Sequence, residues 1–566
     1  MRWSLLNPNQ NTVSSVKKAF RTSEVIARVL ANRNILNPNL ARPFFTPNLD
    51  MLHNPYLMQD MDKAVERVLK NIKSGKPIMV FGDYDVDGTT GAAALYLAFQ
   101  KFGADVTYYI PDREKEGYGL SYHGIEIAKD NGIDLIITCD CGINAFEQVD
   151  FANEQNIDII ITDHHTTDTE LPKAHAILNP KREDCEYPFK GLCGGGVAFK
   201  LITAIGNKLN IPLTDYEEII PLITLGIAAD VVPIKDENRV LVHHGLNILK
   251  NLEKPGLKTL LELAGLKGHI SVGQLVFSIA PRINAAGRLG DANRAVELLV
   301  TDDQDKARLL AKELDNENKR RQMIQQAVVD EALLKVNAEA DLKNENALVL
   351  ANAGWHPGVV GIVASKIKEE FNRPTIIIAL ENGSGKGSAR SVAGFDLYEA
   401  LTACKTHLDG YGGHPMAAGL TLSNQKLEDF KKAFIDFANE RLTKENLQAT
   451  LTLDSEMALQ DITPRFMEFL DKLSPYGPGN MRPKFAIRNV EIAGVPKVIG
   501  KTGEHIRFKI KQGLKSYPAV GFGLSNKYEM LITGQPVDIA CVVETNEWQG
   551  NTSIQMNVRD IKRAVT

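Results

Sequence analysis

Residues 78–91 read IMVFGDYDVDGTTG, and this stretch decides the fold that we expect for the chain. Ile78–Phe81 is a continuous apolar run, which is typical of a strand buried on both faces of a sheet. Asp83, Asp85 and Asp87 follow directly after it. Because residues two apart in an extended chain point the same way, we predict that these three carboxylates share one side of the chain where the strand ends.

Further apolar runs after this strand predict a parallel sheet. They are separated by amphipathic stretches of helical length such as Thr89–Phe102, and strand, helix, strand at this spacing is typical of a parallel α/β sheet. Functional groups of such sheets collect at the carboxyl ends of the strands. The further predicted strands are Val106–Ile110, Leu135–Thr138, Ile157–Thr162 and Ala176–Leu178.

Acidic and imidazole side chains recur where these later strands end. Asp140 follows the second of them, and Asp163, His164 and His165 follow the third. Asp230 ends an apolar helix predicted over residues 219–229. Since the ends of parallel strands meet at one edge of the sheet, we expect these groups and the three aspartates after the first strand to converge there.

Such a group of carboxylates favours a metal site. Two unit charges ~4 Å apart repel by ~4 kcal/mol at an effective dielectric constant of 20, so the cluster needs cations or protons to persist. Oxygen ligands with one or two histidines suit Mn²⁺ or Mg²⁺ better than structural zinc. Two such ions about 3.5–4 Å apart can activate water and stabilise the leaving oxygen of a phosphoester.

A nucleotide site of the Rossmann type is the alternative at this edge. It fits poorly, because the first turn after the strand is acidic, whereas a phosphate cradle uses glycine N–H groups. An isolated Asp-x-Asp turn or His-His pair is usually solvated surface. Only the recurrence of such groups at successive strand ends favours the metal site.

The composition indicates a globular chain of several domains. At about 100–200 residues per domain, 566 residues predict roughly three domains, and 44% hydrophobic residues exclude a disordered chain. We find no apolar run of about 18 residues and no signal-peptide core, so we expect a cytoplasmic protein. The six cysteines form no Cys-x-x-Cys pair, which argues against a disulfide scaffold and a cysteine-rich zinc site.

The remaining chain predicts further parts beyond the first sheet. A mostly helical region over 197–300 is followed by a charged stretch, 302–338, that predicts a long solvent-facing helix joining two lobes. A second α/β lobe with a strand at Thr375–Leu380 comes next. The predicted segments are 1–60 (N-terminal), 61–300 (catalytic), 301–340 (linker helix), 341–445 (substrate-binding) and 450–566 (strand-binding).

The C-terminal segment predicts a small β-barrel of the oligonucleotide-binding (OB) type, with a small β-sandwich as the alternative. Residues 481–566 carry a net charge of +6, whereas the rest of the chain carries −11. This contrast indicates a module for a polyanion, although solvated surface lysines would look the same. Its cations are interleaved with His505, Phe508 and Tyr517, a pattern used for single-strand binding. The cations are Lys497, Lys501, Arg507, Lys509, Lys511 and Lys515.

These motifs together resemble those of the DHH phosphoesterase superfamily. The stretch Gly82–Gly88, Asp140 and Asp163–His165 are similar to its successive motifs, and Asp230 is similar to the fourth. Three further motifs resemble one bacterial branch, the single-strand-specific exonucleases, and the resemblance covers nearly the whole chain. These motifs are PRINAAGR at 281–288, GSARS at 387–391 and YGGHPMAAG at 411–419.

The resemblance implies a 5′-to-3′ exonuclease of DNA repair and recombination. Such an enzyme degrades single-stranded DNA to 5′-mononucleotides with two Mn²⁺ or Mg²⁺ ions. His165 would donate to the phosphate, while Asp83 and Asp163 would be ligands or would orient the histidines and waters. Many relatives have a ligand histidine where this chain has Phe81, so one metal site is expected to be less complete or to use Asp83. The implied metal ligands are Asp85, Asp87, Asp140 (bridging both ions), His164 and Asp230.

The resemblance also implies substrate contacts and partners. Ser388 and Arg390 suit a terminal phosphate, and Arg113 is a candidate on the first lobe. Arg282 and Asn284 would hold either the lobe interface or the strand backbone. Expected partners are single-stranded DNA, a RecQ-type helicase and a single-stranded-DNA-binding protein.

Residues 410–419 predict a glycine-rich loop for an anion. In such a loop the backbone N–H groups of Gly412 and Gly413 can approach the anion closely, and His414 can add a donor. A tight turn without a ligand is the alternative.

Two other functions remain open from the sequence. One is a hydrolase of short oligoribonucleotides or cyclic dinucleotides, which the length and the basic C-terminal segment argue against. The other is a non-catalytic scaffold with a decayed metal site, which the retained carboxylates and both histidines argue against.

Overall fold

Helices near the start of the chain pack against its C-terminal part. The computed structural model describes residues 1–113, 115–167, 170–548 and 551–564. Val13 and Leu30 belong to the same buried apolar cluster as Phe466 and Phe485, so the two ends of the chain share a core. The elements of the N-terminal segment are β1 (Arg2–Leu5), α1 (Gln10–Phe20), α2 (Glu24–Asn32) and α3 (Pro38–Phe45).

The predicted first sheet is confirmed as five parallel strands in the order β3-β2-β4-β5-β6. Every residue of β2 and β4 is buried, as their continuous apolar runs predict. The elements are α4 (Met61–Ser74), β2 (Ile78–Gly82), α5 (Val86–Lys101), β3 (Val106–Tyr109), α6 (Tyr122–Asp130), β4 (Leu135–Cys139), α7 (Phe146–Glu154), β5 (Asp158–Thr162) and β6 (Ala176–Leu178).

A helical region covers one face of this sheet, and glycines allow it to approach closely. A Cβ on Gly91 of α5 would lie 2.3 Å from the Cys139 sulfur and 3.0 Å from the Cα of Gly195 in α8. The helices are α8 (Gly194–Leu209), α9 (Ile220–Ala229), α10 (Asp236–Ile248), α11 (Pro255–Leu263), α12 (Val272–Gln274), a π-helical turn (Leu275–Ile279), α13 (Ala280–Leu289) and α14 (Asn293–Val300).

The long linker helix is present as α15 (Gln304–Glu339). The prediction that it faces solvent is wrong for one of its sides, because Ala311 and Leu314 are buried in the core that covers the first sheet. Ala332 and Val336 are buried in a different cluster with strands of the second lobe. The chain divides inside this helix into a larger unit, residues 5–315 and 452–566, and a smaller unit, residues 1–4 and 316–451.

The smaller unit contains a mixed five-stranded sheet in the order β10-β11-β9-β8-β7. The predicted strand at residues 375–380 is confirmed as β8, which pairs parallel with β7 and antiparallel with β9. The elements are β7 (Leu348–Asn352), α16 (Val360–Phe371), β8 (Thr375–Glu381), β9 (Ser384–Arg390), α17 (Leu397–Ala403), β10 (Gly410–His414), β11 (Ala417–Ser423) and α18 (Leu427–Arg441).

The C-terminal strands close into a barrel, which decides against a sandwich. β14 pairs with β18, β18 with β19, β19 with β17, β17 with β16, and β16 again with β14. The elements are β12 (Thr450–Leu453), β13 (Ser455–Glu456), α19 (Pro464–Leu473), β14 (Phe485–Ile492), β15 (Lys497–Ile499), β16 (His505–Gln512), β17 (Lys515–Gly521), α20 (Tyr528–Leu531), β18 (Val537–Trp548) and β19 (Asn551–Arg563).

The barrel corrects the predicted interleaving of cations with aromatic side chains. Arg507, Lys509 and Lys511 of β16 are exposed, but Phe508 between them is buried in the barrel core, and Tyr517 packs against that core. The period of two along β16 separates the basic face from the apolar one. Across the described residues, none of the helices has both the length and the apolar character that crossing a membrane requires.

Candidate metal centre

The three aspartates after β2 are held by a turn and a helix start. The extended geometry that we predicted is wrong, because β2 ends at Gly82 and α5 begins at Val86. Asp85 is the N-cap of α5, and its side chain accepts a hydrogen bond from the Gly88 N–H at 3.0 Å. Asp83 and Asp87 are buried on either side of this cap.

Asp87 meets the N-terminus of a second helix. Its carboxylate accepts hydrogen bonds from the backbone N–H groups of Gly194 (2.6 Å) and Gly195 (3.1 Å), which begin α8. A helix N-terminus carries partial positive charge, which stabilises a buried carboxylate. A Cβ on Gly226 of α9 would lie 2.3 Å from an Asp87 oxygen, so a third helix also needs glycine at this point.

Asp140 follows β4 in a backbone conformation that non-glycine residues seldom adopt. Its φ is +63°, in the left-handed region, and its N–H donates to the Thr162 carbonyl at 2.9 Å. A Cβ on Gly194 would come within 2.4 Å of the Asp140 side chain, so this residue must be glycine. Residues held in this region cost about 1–3 kcal/mol each and concentrate at functional sites.

His164 joins the ends of β5 and α9. Its Nε2 lies 3.1 Å from the Asp140 Oδ1 and 3.5 Å from the Asp230 Oδ2. Asp230 is the C-cap of α9, as the apolar helix before it predicts. Four segments of the chain therefore bring their polar groups to one edge of the sheet.

The side chains form three overlapping groups with metal-ligand spacing. The ligand atoms within each group lie within 4.8 Å of one another, and Asp140 and His164 each belong to two groups. The groups are Asp83–Asp85–Asp140, Asp140–His164–His165 and Asp87–His164–Asp230.

Several of these atoms are buried without any hydrogen-bond partner among the described residues. They are an oxygen each of Asp83, Asp140 and Asp230 and both ring nitrogens of His164. Buried polar atoms are otherwise almost always paired. Carboxylate oxygens with imidazole are the donors that Mn²⁺ and Mg²⁺ accept, so the residues present fit such ions.

The electrostatics of the metal-free cluster agree with this fit. Burial, with the charge of Asp85 added, raises the pKa of Asp87 to about 6. Burial and the charge of Asp87 raise the pKa of Asp230 to about 7, and the pKa values of Asp83 and Asp140 are also raised. Burial lowers the pKa of His164, which favours the neutral imidazole that can bind a metal.

His165 and Asp163 form a separate pair beside the cluster. The Asp163 Oδ1 lies 2.7 Å from the His165 Nδ1 and accepts the backbone N–H of His164 at 2.7 Å, and its Oδ2 accepts the Ile143 N–H at 3.0 Å. Burial alone would lower the pKa of His165, but the bond to Asp163 raises it overall, and the same bond lowers the pKa of Asp163 against the effect of burial. Asp163 thus orients His165 and favours its charged form.

Phe81 lies at the position where the resemblance implied a ligand histidine. It is fully buried, and its ring centroid is 5.3 Å from that of Tyr109. A Cβ on Gly124 would lie 2.5 Å from this ring, so the phenyl group fills the core behind β2. Phe81 adds no metal-binding atom, whereas Asp83 offers an unpartnered oxygen in the same part of the site.

The predicted substrate residues of the larger unit have different surroundings. Arg113 is exposed, and its guanidinium lies 5.2 Å from the centroid of the Tyr84 ring. Arg282 instead donates to the Asp315 carboxylate of α15 at 2.9 Å and to the Ser278 carbonyl. Asn284 is half-buried on the same helix as Arg282.

The predicted substrate residues of the smaller unit lie on two parts of its sheet. Arg390 donates to the Ser388 hydroxyl at 2.9 Å, and a Cβ on Gly361 in the first turn of α16 would lie 3.0 Å from the Arg390 guanidinium. The predicted glycine-rich loop is wrong, because Gly412, Gly413 and His414 belong to β10, which forms a hairpin with β11. All three residues are exposed, and β10 is an edge strand of the sheet.

Comparison with known proteins identifies the family. Residues 77–227 match the DHH family N-terminal domain, 344–440 the DHHA1 domain and 453–560 the RecJ OB domain. The chain is 37% identical to the single-stranded-DNA-specific exonuclease RecJ of Bacillus subtilis (strain 168), over 99% of this chain and 70% of that protein. It is 34% identical to the protein of the same name from Escherichia coli (strain K12), over 89% of this chain and 90% of that one. The chain belongs to the RecJ family.

Solved RecJ structures share this fold. The chain superposes on RecJ from Thermus thermophilus in complex with Mn²⁺ with a TM-score of 0.85 and 30% identity, covering 100% of this chain and 80% of that one. The Mg²⁺ complex from the same organism gives a TM-score of 0.79, with 29% identity over 100% and 79% of the two chains. The predicted fold class, the resemblance to the DHH superfamily and the expected Mn²⁺ or Mg²⁺ chemistry are confirmed.

The structure adds residues around the candidate metal centre that the sequence analysis missed. Gly194 and Gly226 make room for the carboxylates, and the run of glycines at 194–196 was the available signal for the first of them. Tyr118 donates to the Asp140 carbonyl at 3.1 Å, and its hydroxyl lies 3.5 Å from the His165 Nε2. Its position between two glycines was a weak signal at most.

Proposed function

We propose that this chain is a metal-dependent exonuclease that degrades single-stranded DNA from the 5′ end to 5′-mononucleotides. The observation that carries the proposal is the convergence of Asp83, Asp140, His164 and Asp230, each of which has a buried polar atom with no hydrogen bond among the described residues. The printed names of its relatives, single-stranded-DNA-specific exonucleases, support the substrate. We propose that this activity serves DNA repair and recombination, as the family resemblance implies.

The proposed ligands of two Mn²⁺ or Mg²⁺ ions are those that the motifs imply. When bound, the ions would supply an activated water and stabilise charge on the leaving oxygen. Asp140 belongs to two of the three ligand groups, which supports its role as the bridge. Asp83 would complete the site that lacks a histidine at position 81. The other ligands are Asp85, Asp87, His164 and Asp230.

His165 is the proposed donor to the scissile phosphate. With its Nδ1 bonded to Asp163, its Nε2 can present a proton to a phosphate oxygen as negative charge develops there. Asp163 is proposed to position this ring rather than to bind a metal, because both of its oxygens already accept hydrogen bonds.

We propose that the 5′ phosphate and the adjoining strand are bound by basic and backbone groups. Arg113 is exposed near Asp83, and the bond between Arg390 and Ser388 leaves further guanidinium donors for a phosphate. His414, with the backbone of Gly412 and Gly413, would contact the strand from β10. We assign Arg282 to holding α13 against α15. Asn284, on the same helix, remains a proposed contact of the strand backbone.

We propose that the predicted segments carry different parts of the function. The segment 61–300 would carry the chemistry, 341–445 the terminal nucleotide and 450–566 the incoming strand, with 301–340 as the linker and 1–60 packed on the barrel. The exposed basic face of β16 supports strand binding by the barrel. A cytoplasmic location stays proposed from the sequence pattern. A RecQ-type helicase and a single-stranded-DNA-binding protein as partners are proposed from the family alone.

End-labelled oligonucleotides of both polarities, with and without a 5′ phosphate, test this function in Mn²⁺. We expect 5′-mononucleotides from the 5′ end and complete loss with EDTA. Asp87→Asn should lower cleavage by more than about 100-fold, because even outer partners of metal ligands contribute 10- to 100-fold. It should leave strand binding intact. Asp150→Asn, an exposed aspartate on α7, is the matched control. Cleavage that survives EDTA would refute the proposal.

A further inference from the structure

A valine that follows α9 has a backbone conformation that valine seldom adopts. Val231 comes directly after Asp230, the C-cap of this helix, and its φ is +62°. In this left-handed region the Cβ crowds the backbone, and a β-branched residue there is an outlier. The other non-glycine residues with positive φ in the described ranges are asparagines, aspartates and one arginine. Position 231 therefore carries backbone strain.

The side chain of Val231 does not compensate for this strain by packing. It is 62% exposed, whereas the next side chain, that of Val232, packs against the core of the larger unit. An exposed apolar group forgoes the free energy that its burial would supply. Valine at position 231 is thus unfavourable both for the backbone and for the solvation of the side chain.

The turn that contains Val231 is fixed on both sides. Before it, the Asp230 N–H donates to the Gly226 carbonyl at 2.9 Å. After it, the Ile234 N–H donates to the Pro478 carbonyl at 2.7 Å. Strained residues persist only where their surroundings determine the conformation in this way, and they concentrate at functional sites. The strain at Val231 therefore points to a role in the adjoining site.

Val231 lies on the solvent side of a group of proposed metal ligands. Asp230 belongs to the group Asp87–His164–Asp230, and its Oδ2 is 3.5 Å from the His164 Nε2. It is the most exposed member of this group, because its side chain is 24% exposed while His164 and Asp87 are buried. Consecutive Cα atoms are only about 3.8 Å apart, so Val231 borders the side from which a substrate can reach the ions.

We propose that Val231 is a specificity-determining residue whose exposed isopropyl group packs on the 2′ carbon of the terminal sugar and favours deoxyribose over ribose. The inference rests on the proposed nuclease function. When a 5′-mononucleotide is released, the scissile phosphorus is bonded to the 3′ oxygen of the terminal sugar, and the 2′ carbon adjoins the carbon that carries this oxygen. A 2′-hydroxyl against an apolar group would lose its water without gaining a hydrogen-bond partner.

Two 5′-phosphorylated DNA strands that differ only in the terminal sugar, deoxyribose or ribose, test this contact in Mn²⁺. We expect the wild-type chain to cleave the deoxyribose end with a kcat/KM about 10- to 100-fold higher, the effect typical of a hydroxyl placed in an apolar site. Val231→Thr keeps the branched shape and the strain but offers a hydroxyl to the 2′-hydroxyl. Val231→Gly removes the side chain. Both variants should bring the ratio close to one.

The control variant is Val232→Thr, which makes the same change at the side chain that packs on the core. It should keep the wild-type ratio. If Val231 only shaped the turn, its variants would change kcat/KM equally on both strands. An unchanged ratio in Val231→Thr and Val231→Gly would overturn the proposal, and a loss of Mn²⁺ affinity with that unchanged ratio would assign Val231 to positioning Asp230 instead.

A binding measurement separates this proposal from the nuclease function. Short fluorescent strands with the two terminal sugars, mixed with the chain in Ca²⁺, should show tighter binding of the deoxyribose end by the wild type but not by Val231→Thr. Such a difference in binding without any cleavage in Mn²⁺ would support the sugar contact and refute the nuclease. Cleavage of both ends at equal rates by the wild type would refute the sugar contact and leave the nuclease standing.

Discussion

Gly226 shows how closely single residues are fitted around the carboxylates. A Cβ here would lie 2.3 Å from the Asp87 Oδ1 and 3.0 Å from the Thr90 hydroxyl. The Asp87 carboxylate cannot move away from such a Cβ without losing its hydrogen bonds to two N–H groups of α8. Gly226 therefore sets the place of a proposed metal ligand without contacting the metal.

Gly226→Ala should lower the affinity for Mn²⁺ by about 10- to 100-fold, the effect typical of displaced metal-ligand partners. Alanine favours a helix over glycine by about 1 kcal/mol, so weaker helix formation cannot explain such a loss. Titration calorimetry with MnCl₂ measures it. Gly273→Ala is the control, since a Cβ there meets only the Ser271 hydroxyl at 4.0 Å. Equal affinities in the two variants would contradict this account.

The raised carboxyl pKa values predict how pH couples to metal binding. Asp87 and Asp230, with pKa values of about 6 and about 7 in the metal-free chain, bind protons that the unfolded chain would release near pH 4. Stability of the metal-free chain should therefore fall as pH rises from about 4 to 7. Mn²⁺ must displace these protons, so its affinity should rise over the same window.

Thermal unfolding with and without MnCl₂ between pH 5 and pH 8 tests this coupling. The increase in melting temperature that Mn²⁺ causes should be small at pH 5 and largest at pH 8. Asp87→Asn removes one of the titrating groups and should flatten the profile. A metal-induced shift that does not change across this range would contradict the assigned cause.

Among the elements, α15 shows where a sequence pattern is ambiguous. Its charged composition predicts a solvated helix, yet Leu314 is fully buried, while Leu309 five residues earlier is 59% exposed. The first part of this helix packs on the core of the larger unit and the last part on a core of the smaller unit, so its apolar residues do not form one continuous stripe. Periodicity reveals an amphipathic helix only when one face meets one core.

Leu314→Ala should lower the free energy of unfolding by about 2–5 kcal/mol, the range for a buried leucine truncated in a packed core. Leu309→Ala on the exposed side should change it by less than about 0.5 kcal/mol. Chemical denaturation of both variants, followed by fluorescence, gives the comparison. Similar changes in the free energy of unfolding for the two variants would contradict the burial of Leu314 and support a fully solvated helix.

The elements that the sequence predicted correctly are those in which a single structural cause, such as burial on both faces, sets the residue pattern. The strands of the first sheet are buried on both faces, so their apolar runs stand out, and their ends located Asp140 and His164. The prediction of a loop at residues 410–414 is wrong, because the glycine content of this edge strand is also typical of loops. The contacts of Asp87 with Gly194 and Gly195 join residues more than 100 positions apart, and no local pattern reveals them.

For the whole molecule, the uneven charge supports the proposal that the barrel binds the incoming strand. The exposed cations Arg507, Lys509 and Lys511 alternate along β16 and form a basic face, whereas the chain before residue 481 carries a net negative charge. A single strand held there releases counterions for each phosphate neutralised. Binding should therefore weaken steeply with salt.

Lys509→Glu combined with Lys511→Glu should weaken binding of a long single strand and reduce the salt slope, log K against log salt, by about 1.4, from 0.7 per lost phosphate contact. Cleavage of a very short strand should change little. Lys173→Glu with Lys208→Glu, two exposed lysines outside the barrel, alters net charge equally and is the control. Equal salt slopes in the two double variants would place strand capture elsewhere.

The shared core of α1–α3 and the barrel sets an order of events during synthesis. Phe45 leaves the ribosome about 440 residues before Phe485. At a synthesis rate of about 5–20 residues per second, roughly 20–90 s pass between the synthesis of these helices and that of the strands that cover them. Their apolar side stays uncovered for that time, and this shared core can form only after the barrel strands have been synthesised.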